Sequence, residues 1–293
     1  MPCRVRQRRA AEIAVHARFR LLPYEVEVTA DDDRLAPKIA YLANHAEQPA
    51  PLKARLRYDV EGHGPYDVVE DGERLQSVAT PDDALVVLYE RCYGRLVDHL
   101  SVGGWLPLHG GLVTIAGRRL LVVGQKGAGK TTLMLRLLYD GHAVEGDEMV
   151  FTRDGVTVAL PRPFHLKPGT DALIPEIRAR FDDLPSMPAS DGTHVTAFDP
   201  GAEGFSWSLG AGPIDGAVVL RPNHGGKTSV RNLSSLELVQ GALDHSYPTS
   251  DSRPMLLRSI TAMLGEVDGV ELTVGSVDTT ATALVTFATV SGV

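Results

Sequence analysis

Cysteine is scarce in this chain: Cys3 and Cys92 are the only two in 293 residues. That excludes a disulfide framework and any cysteine-based metal spacing, and it fits a reducing, cytoplasmic compartment. No stretch approaches the ~20 apolar residues a membrane-spanning helix needs. The basic start, MPCRVRQRRAAE, lacks the apolar run of a signal peptide, and Arg4, Arg6, Arg8 and Arg9 read as a solvated, frayed end. No membrane partner is expected. An excess of positive charge is missing too. Lys and Arg total 29 against 37 Asp and Glu, a net charge of −8 that disfavours a grip on nucleic acid through its phosphates. Lysine itself is rare, six against twenty-three arginines, which reads as genomic composition rather than function. Internal repeats and low-complexity tracts are absent. What remains, 43% hydrophobic and 23% charged, is ordinary for a globular protein with one large domain or two smaller ones.

One stretch stands out. Gly124-Gln125-Lys126-Gly127-Ala128-Gly129-Lys130-Thr131 satisfies G-x-x-x-x-G-K-[ST], the Walker A phosphate-binding loop. In a chain this long the pattern arises by accident about one time in a hundred. Its context lowers that further, because Leu120–Val123 reads as a buried strand entering the loop and Thr132–Leu138 as a helix leaving it, closed at Gly141. Such a loop curls backbone N–H groups around an anion, and the helix N-terminus adds its positive dipole. Lys130 would reach the β- and γ-phosphates, and the Thr131 hydroxyl would hold Mg²⁺.

Upstream, residues 1–100 read as a small α+β module. Strands are expected over 12–19 and 24–28, a helix over Leu35–Ala46, and a half-exposed strand over 52–60 with Leu52, Ala54, Leu56, Tyr58 and Val60 on one face. A hairpin follows over 66–78. Thr80-Pro81-Asp82-Asp83 opens a helix whose apolar stripe includes Leu85, Leu88, Tyr89, Cys92, Tyr93 and Leu96. His16, His45 and His63 are scattered and suggest no metal site. With no acid–base cluster of its own, this module reads as a surface for substrate docking or oligomer contacts.

Downstream, residues 101–293 form a second unit. Gly111–Ala116 and Arg119–Val123 flank a turn too short for anything but an antiparallel pair, so the sheet is mixed. A short strand over 142–145 ends at Asp147-Glu148, and we expect it to neighbour the phosphate-loop strand. A hairpin over 149–160, a helix near Asp171–Phe181 and strands over 214–221 and 227–232 follow. Helices at 234–243 and 254–264 and a strand at 271–274 complete the pattern. The last segment, Thr279–Val290, fits helix or strand.

Phosphoryl transfer needs a cradle, Mg²⁺ ligands, a proton acceptor and cations for developing charge. An isolated Asp-Glu turn is ordinarily a solvated one. Here Asp147 and Glu148 end a strand beside the loop, which favours site residues. His109, just before the antiparallel strand, would lie near them.

These residues carry a resemblance. His109-Gly110, the 124–131 loop, Gly141-His142 and Asp147-Glu148 follow the order and spacing of the catalytic domain of HPr kinase/phosphorylase. More closely, the run resembles the shorter HPr-kinase-related proteins, some encoded beside lasso-peptide and other peptide-modification genes. Leu160-Pro161-Arg162-Pro163 with Leu166-Lys167 is similar to a stretch of those relatives. The resemblance implies an α/β fold: a mixed-sheet P-loop kinase domain of the HPr kinase/PEP carboxykinase-like type over 101–293, preceded by the small α+β domain over 1–100. It also implies ATP and Mg²⁺ as cofactors. Asp147 would be the base, supported by His109, with Lys130 also catalytic. Glu148 would join Thr131, with Asp147, around the metal. Gly124, Gln125, Lys126, Gly127, Ala128, Gly129, Lys130, Thr131 and Thr132 would cradle the nucleotide, and Arg162 and Arg221 would meet phosphate charge. Glu148 stands where the family has a second Asp, and Thr131 where it usually has Ser. The later segment associated with the phosphorylase reaction is not found. The resemblance leans towards a homo-oligomer.

The expectation is therefore a kinase acting on a hydroxyl-bearing peptide or small-molecule acceptor. The alternatives are a nucleotide-binding switch or assembly protein, and a non-catalytic peptide-binding relative. No Asn-Lys-x-Asp motif reads guanine, which weakens a GTP switch.

Overall fold

In the computed structural model, residues 13–49, 51–188, 193–247 and 253–290 are described. Cys3 and the Arg4–Arg9 cluster lie outside them. Val15–Leu21 (β1) and Tyr24–Ala30 (β2) pair as an antiparallel hairpin. A 3-10 turn over Asp33–Leu35 and a helix at Ala36–Leu42 (α1) then carry the chain across to Ala54–Glu61 (β3), which pairs parallel with β2. The expected helix to Ala46 stops at Leu42 because Ala43 is extended. The amides of Asn44 and Gln48 instead donate to the Arg20 carbonyl, and Glu47 bridges to Ser208, so tertiary partners draw this segment away from the helix. In β3, Leu56, Tyr58 and Val60 face the core as expected, while Ala54 and Leu52 are exposed at and before its start. Tyr66–Glu70 (β4) and Glu73–Val78 (β5) complete the five-stranded sheet through the tight Asp71-Gly72 turn. Thr80 then opens a long helix, Pro81–Val102 (α2): its hydroxyl accepts from the Asp83 N–H and the Asp83 carboxylate accepts from the Thr80 N–H.

Leu106–Leu108 (β6), Gly110–Ile115 (β7) and Arg118–Gly124 (β8) follow, with β7 and β8 antiparallel around Ala116-Gly117. Lys130–Tyr139 (α3) leaves the loop. Ala143–Gly146 (β9), Val150–Arg153 (β10), Val156–Ala159 (β11) and Phe164–Leu166 (β12) come next. The helix expected over 171–181 is broken into one turn, Thr170–Leu173 (α4), and a 3-10 stretch, Pro175–Asp183. Pro175 is the reason: it lacks an N–H and disfavours helical backbone at the preceding Ile174, which sits at φ −125°, ψ 87°. Ser186–Pro188 (β13) and His194–Phe198 (β14) pair with β12's sheet. Gly216–Pro222 (β15), Ser229–Asn232 (β16), Ser235–Asp244 (α5), Arg253–Leu264 (α6), Asp268–Val274 (β17) and Val277–Val290 (α7) end the chain. The last segment is helix because Ala281, Leu284 and Ala288, at helical spacing, bury one face in the core of the main sheet; its threonine hydroxyls donate back to carbonyls four residues earlier, as Thr282 does to Asp278 and Thr286 to Thr282.

The fold is mixed α/β. Its main sheet runs β16-β17-β15-β8-β7-β9, with β17, β15 and β8 parallel and the flanking pairs antiparallel. One expectation is corrected here. β9 neighbours β7 rather than β8, because the β7–β8 hairpin occupies one side of β8 and parallel β15 the other. Alternation along β8 splits two cores: Leu120 and Val122 pack towards α3 and α7, while Leu121 and Val123 pack towards α5 and α6.

A third core joins the first hundred residues to the middle of the chain. Tyr58, Leu85, Leu88 and Cys92 share it with Phe151, Val158 and Leu160 of the β10–β11 hairpin and the residue after it. A chain beginning near Ser101 would uncover those three side chains, each worth ~1.5–3 kcal/mol of burial. We expect such a fragment to lose a cooperative thermal transition; a sharp transition near that of the whole protein would show that 101–293 folds alone.

Candidate active site

The loop at 124–131 joins the end of β8, a central strand, to the start of α3. Gly127 and Gly129 sit at φ 84° and 93°, backbone that side-chain-bearing residues rarely adopt, which explains glycine at both. Lys130 is buried at the first position of α3, and its Nζ turns back to donate to the carbonyls of Gly124 at 2.6 Å and Gln125 at 3.2 Å. Burial pushes its pKa down to about 8, against the pull of Glu148 and Asp147.

Asp147 follows β9 and is almost entirely buried. Burial pushes its carboxyl above the ordinary aspartate range, while Arg162 and the Thr131 hydroxyl oppose the shift. Its Oδ2 makes no hydrogen bond among the described residues. Glu148 is more open, its side chain 39% exposed, and its backbone carbonyl accepts from the Gly110 N–H. That same carbonyl accepts from Nδ1 of His109 at 3.0 Å, which fixes the proton on Nδ1 and leaves Nε2 as the acceptor. Burial, then Lys130, lower the pKa of His109. The contacts of His109 run to Glu148, whose Oε1 lies 3.8 Å from Nδ1, rather than to Asp147.

Arg162 lies between these acids and the N-terminal half. Its Nη2 is 3.9 Å from Asp147 Oδ1 and 3.5 Å from Glu148 Oε2, and its Nη1 donates to the Tyr89 hydroxyl at 3.1 Å. Burial works against its charge, but Tyr89, Asp147 and Glu148 outweigh that and hold it ionised. Arg221, at the end of β15, is half exposed and tied to Glu271 at 3.0 Å. Both arginines line the same cleft as Gln125, Lys126, Lys130 and Thr131. Thr132 lines it too, whereas Gly124 and Ala128 support the loop from behind, packed on Leu220 and each other. The cleft measures ≈ 1010 Å³, the scale of a nucleotide with room beside it.

No protein-family model matches the sequence, and no curated protein matches it. Among solved structures, that of the Hpr(Ser) kinase/phosphatase from Coxiella burnetii is similar at a TM-score of 0.32 and 9% identity, over 61% of this chain and 91% of that one. At that score the likeness carries no argument about chemistry, which rests on the cleft itself.

The cleft also holds residues that the sequence pattern does not flag. Nε2 of His224, from the His-Gly-Gly turn after β15, is 2.9 Å from the Gly127 carbonyl and braces the loop. His245 and Tyr247 follow α5 and flank His109, whose N–H donates to the His245 carbonyl at 2.7 Å and whose ring lies 6.0 Å from Tyr247. His165 and Lys167 form another wall. Only Lys167 had a signal, the Leu-Lys pair after Pro163.

The low pKa of Lys130 sets a pH dependence. Below about pH 8 the ammonium is charged; above it, in the free protein, the charge is lost. Phosphate binding favours the charged form, so nucleotide affinity is expected to be full at pH 6.5–7.5 and to fall as pH rises through 8 to 9.5. Calorimetry across that range checks it. In Lys130→Arg, which stays charged, the decline should flatten.

Proposed function

We propose that the protein is a kinase that transfers the γ-phosphate of ATP, with Mg²⁺, to a hydroxyl of a peptide, protein or small metabolite. The observation that carries this reading is Asp147: a buried carboxylate with one oxygen unbonded, adjoining Thr131 and Lys130 at the foot of the loop. A nucleotide switch needs only a solvated carboxylate to hold metal-bound water. A desolvated one, its pKa raised, suits proton abstraction from an alcohol.

Among the described residues no group of three His, Cys, Asp or Glu could hold a metal alone. Mg²⁺ at phosphate sites uses one or two carboxylates, with phosphate oxygens and water completing its shell. The Thr131 hydroxyl and the Glu148 carboxylate, both lining the cleft, fit that mode, with the buried Asp147 carboxyl beside Thr131. Bound there with ATP, Mg²⁺ would neutralise phosphate charge. The loop amides and Lys130 would hold the β- and γ-phosphates. The acceptor oxygen would attack phosphorus as its proton passes to Asp147, and the bond to the β-phosphate oxygen would break to release ADP. Arg162 would face the charge that develops on the transferring group.

Mass spectrometry of hydroxyl acceptors incubated with ATP tests the proposal by a gain of one phosphate. ATP binding without any transfer would favour a switch. Among the described residues no helix is long and apolar enough to cross a membrane.

A further inference from the structure

We propose that Tyr89, on helix α2 of the N-terminal half, is a positioning residue for Arg162, so that the active site is completed from outside the phosphate-loop half. The inference rests on the reading that Arg162 meets nucleotide phosphate.

The geometry around the guanidinium is lopsided. Arg162 is buried, yet its Nε and Nη2 have no hydrogen-bond partner among the described residues. Asp147 and Glu148 stand 3.9 and 3.5 Å from Nη2, close enough to attract but short of the ~2.7–2.9 Å of a charge-assisted hydrogen bond. One side-chain hydrogen bond orients the group among the described residues, and its acceptor is the Tyr89 hydroxyl oxygen at 3.1 Å.

Tyr89 is itself well held. Its ring centroid lies 4.7 Å from that of Tyr93, one helical turn on, 6.3 Å from Tyr41 of α1, and 5.7 Å from His165 on the cleft wall. Tyr41 also packs on His165 at 5.0 Å. Aromatic rings locked in this way make a rigid mount for one oxygen atom.

Without that oxygen, nothing holds the guanidinium back from the two carboxylates. It would close onto Asp147 and Glu148 as a forked ion pair. That movement commits its unbonded donors to the acids. Tyr89 therefore keeps Arg162 poised between the acids and the incoming phosphate, instead of spent on the acids.

Tyr89→Phe removes the oxygen and keeps the ring packing, so the fold should survive, with thermal unfolding as the control. Calorimetry with ATP and ADP, both with Mg²⁺, reads the effect without needing turnover. Arg162→Ala should shrink the preference for ATP over ADP, and Tyr89→Phe should shrink it by about tenfold, the scale of one hydrogen bond to a charged group. In the Arg162→Ala background, Tyr89→Phe should add nothing. Equal losses in both backgrounds, or an unchanged preference in Tyr89→Phe, would overturn the positioning role. If Arg162→Ala alone leaves the preference intact, Arg162 does not meet the γ-phosphate and the inference falls with it. Loss of ATP-dependent transfer in the parent, with the nucleotide preferences as expected, would sink the kinase reading and leave Tyr89 in place.

Discussion

Lys130→Ala is expected to abolish nucleotide-dependent transfer, with a loss of ~10²–10³ in rate and clearly weaker ATP binding. The ammonium is the cation carried by the loop's own cradle on the inside: Lys126 is exposed, Arg221 is tied to Glu271, and Arg162 stands outside the loop, bonded to Tyr89. Its two carbonyl partners, Gly124 and Gln125, belong to the loop, so an arriving phosphate can replace them without unfolding anything. A buried ammonium acts in a medium where water screens it poorly, so its attraction for phosphate is larger than that of a surface lysine. Alanine leaves the backbone amides and the helix dipole, which is why some affinity should remain. ATP affinity by calorimetry and turnover by coupled ADP release are the measurements. Unchanged values for both would remove the phosphate-loop reading.

Local chemistry made part of this molecule readable. The loop, the β7–β8 hairpin and the helix start at Thr80 are each set by residues within a few positions of one another. Pro175 was also a local signal against a continuous helix over 171–181, and it outweighs the apolar periodicity there. Strand order is different in kind. Whether β9 lies against β8 or β7 depends on which edge β15 has already taken, and β15 begins some ninety residues after β8. The same holds for the site. Gly124–Thr131 could be read directly because one segment supplies the whole cradle.

Tyr89 could not. On its helix it belongs to an apolar stripe with Leu85, Leu88 and Cys92, and nothing within that stripe marks one ring as reaching a guanidinium 73 residues away. His224, His245 and Tyr247 enter the cleft from turns and helix ends whose sequence carries no pattern for it. The sharing of a core between α2 and the β10–β11 hairpin is likewise a property of packing. It makes the first hundred residues part of the structure that frames the site, in addition to any docking surface they offer.

Asp147→Asn separates the kinase from the switch. A hydroxyl is a poor nucleophile at neutral pH, so a carboxylate within hydrogen-bond reach must accept its proton as the new bond forms. Asn matches Asp in size and can still offer an oxygen to metal or water, but it cannot take the proton. ATP–Mg²⁺ binding is therefore expected to change by no more than about tenfold, roughly 1.4 kcal/mol, while transfer falls by the ~10²–10⁴ that general base catalysis supplies. The burial of Asp147 makes the contrast clean, because water reaches this site poorly and cannot readily stand in as base. Glu148, more open and next to His109 and Arg162, is expected to answer differently. Glu148→Gln should raise the Mg²⁺ concentration needed for half-maximal activity, with a smaller effect at saturating metal, because coordination rather than proton transfer is its assigned role. Calorimetry of ATP binding beside mass spectrometry of the acceptor, in both variants across a Mg²⁺ series, reads the two roles apart. Transfer at the parent rate by Asp147→Asn would dismiss Asp147 as base, and a metal requirement that moves with Asp147→Asn but not with Glu148→Gln would exchange the two assignments.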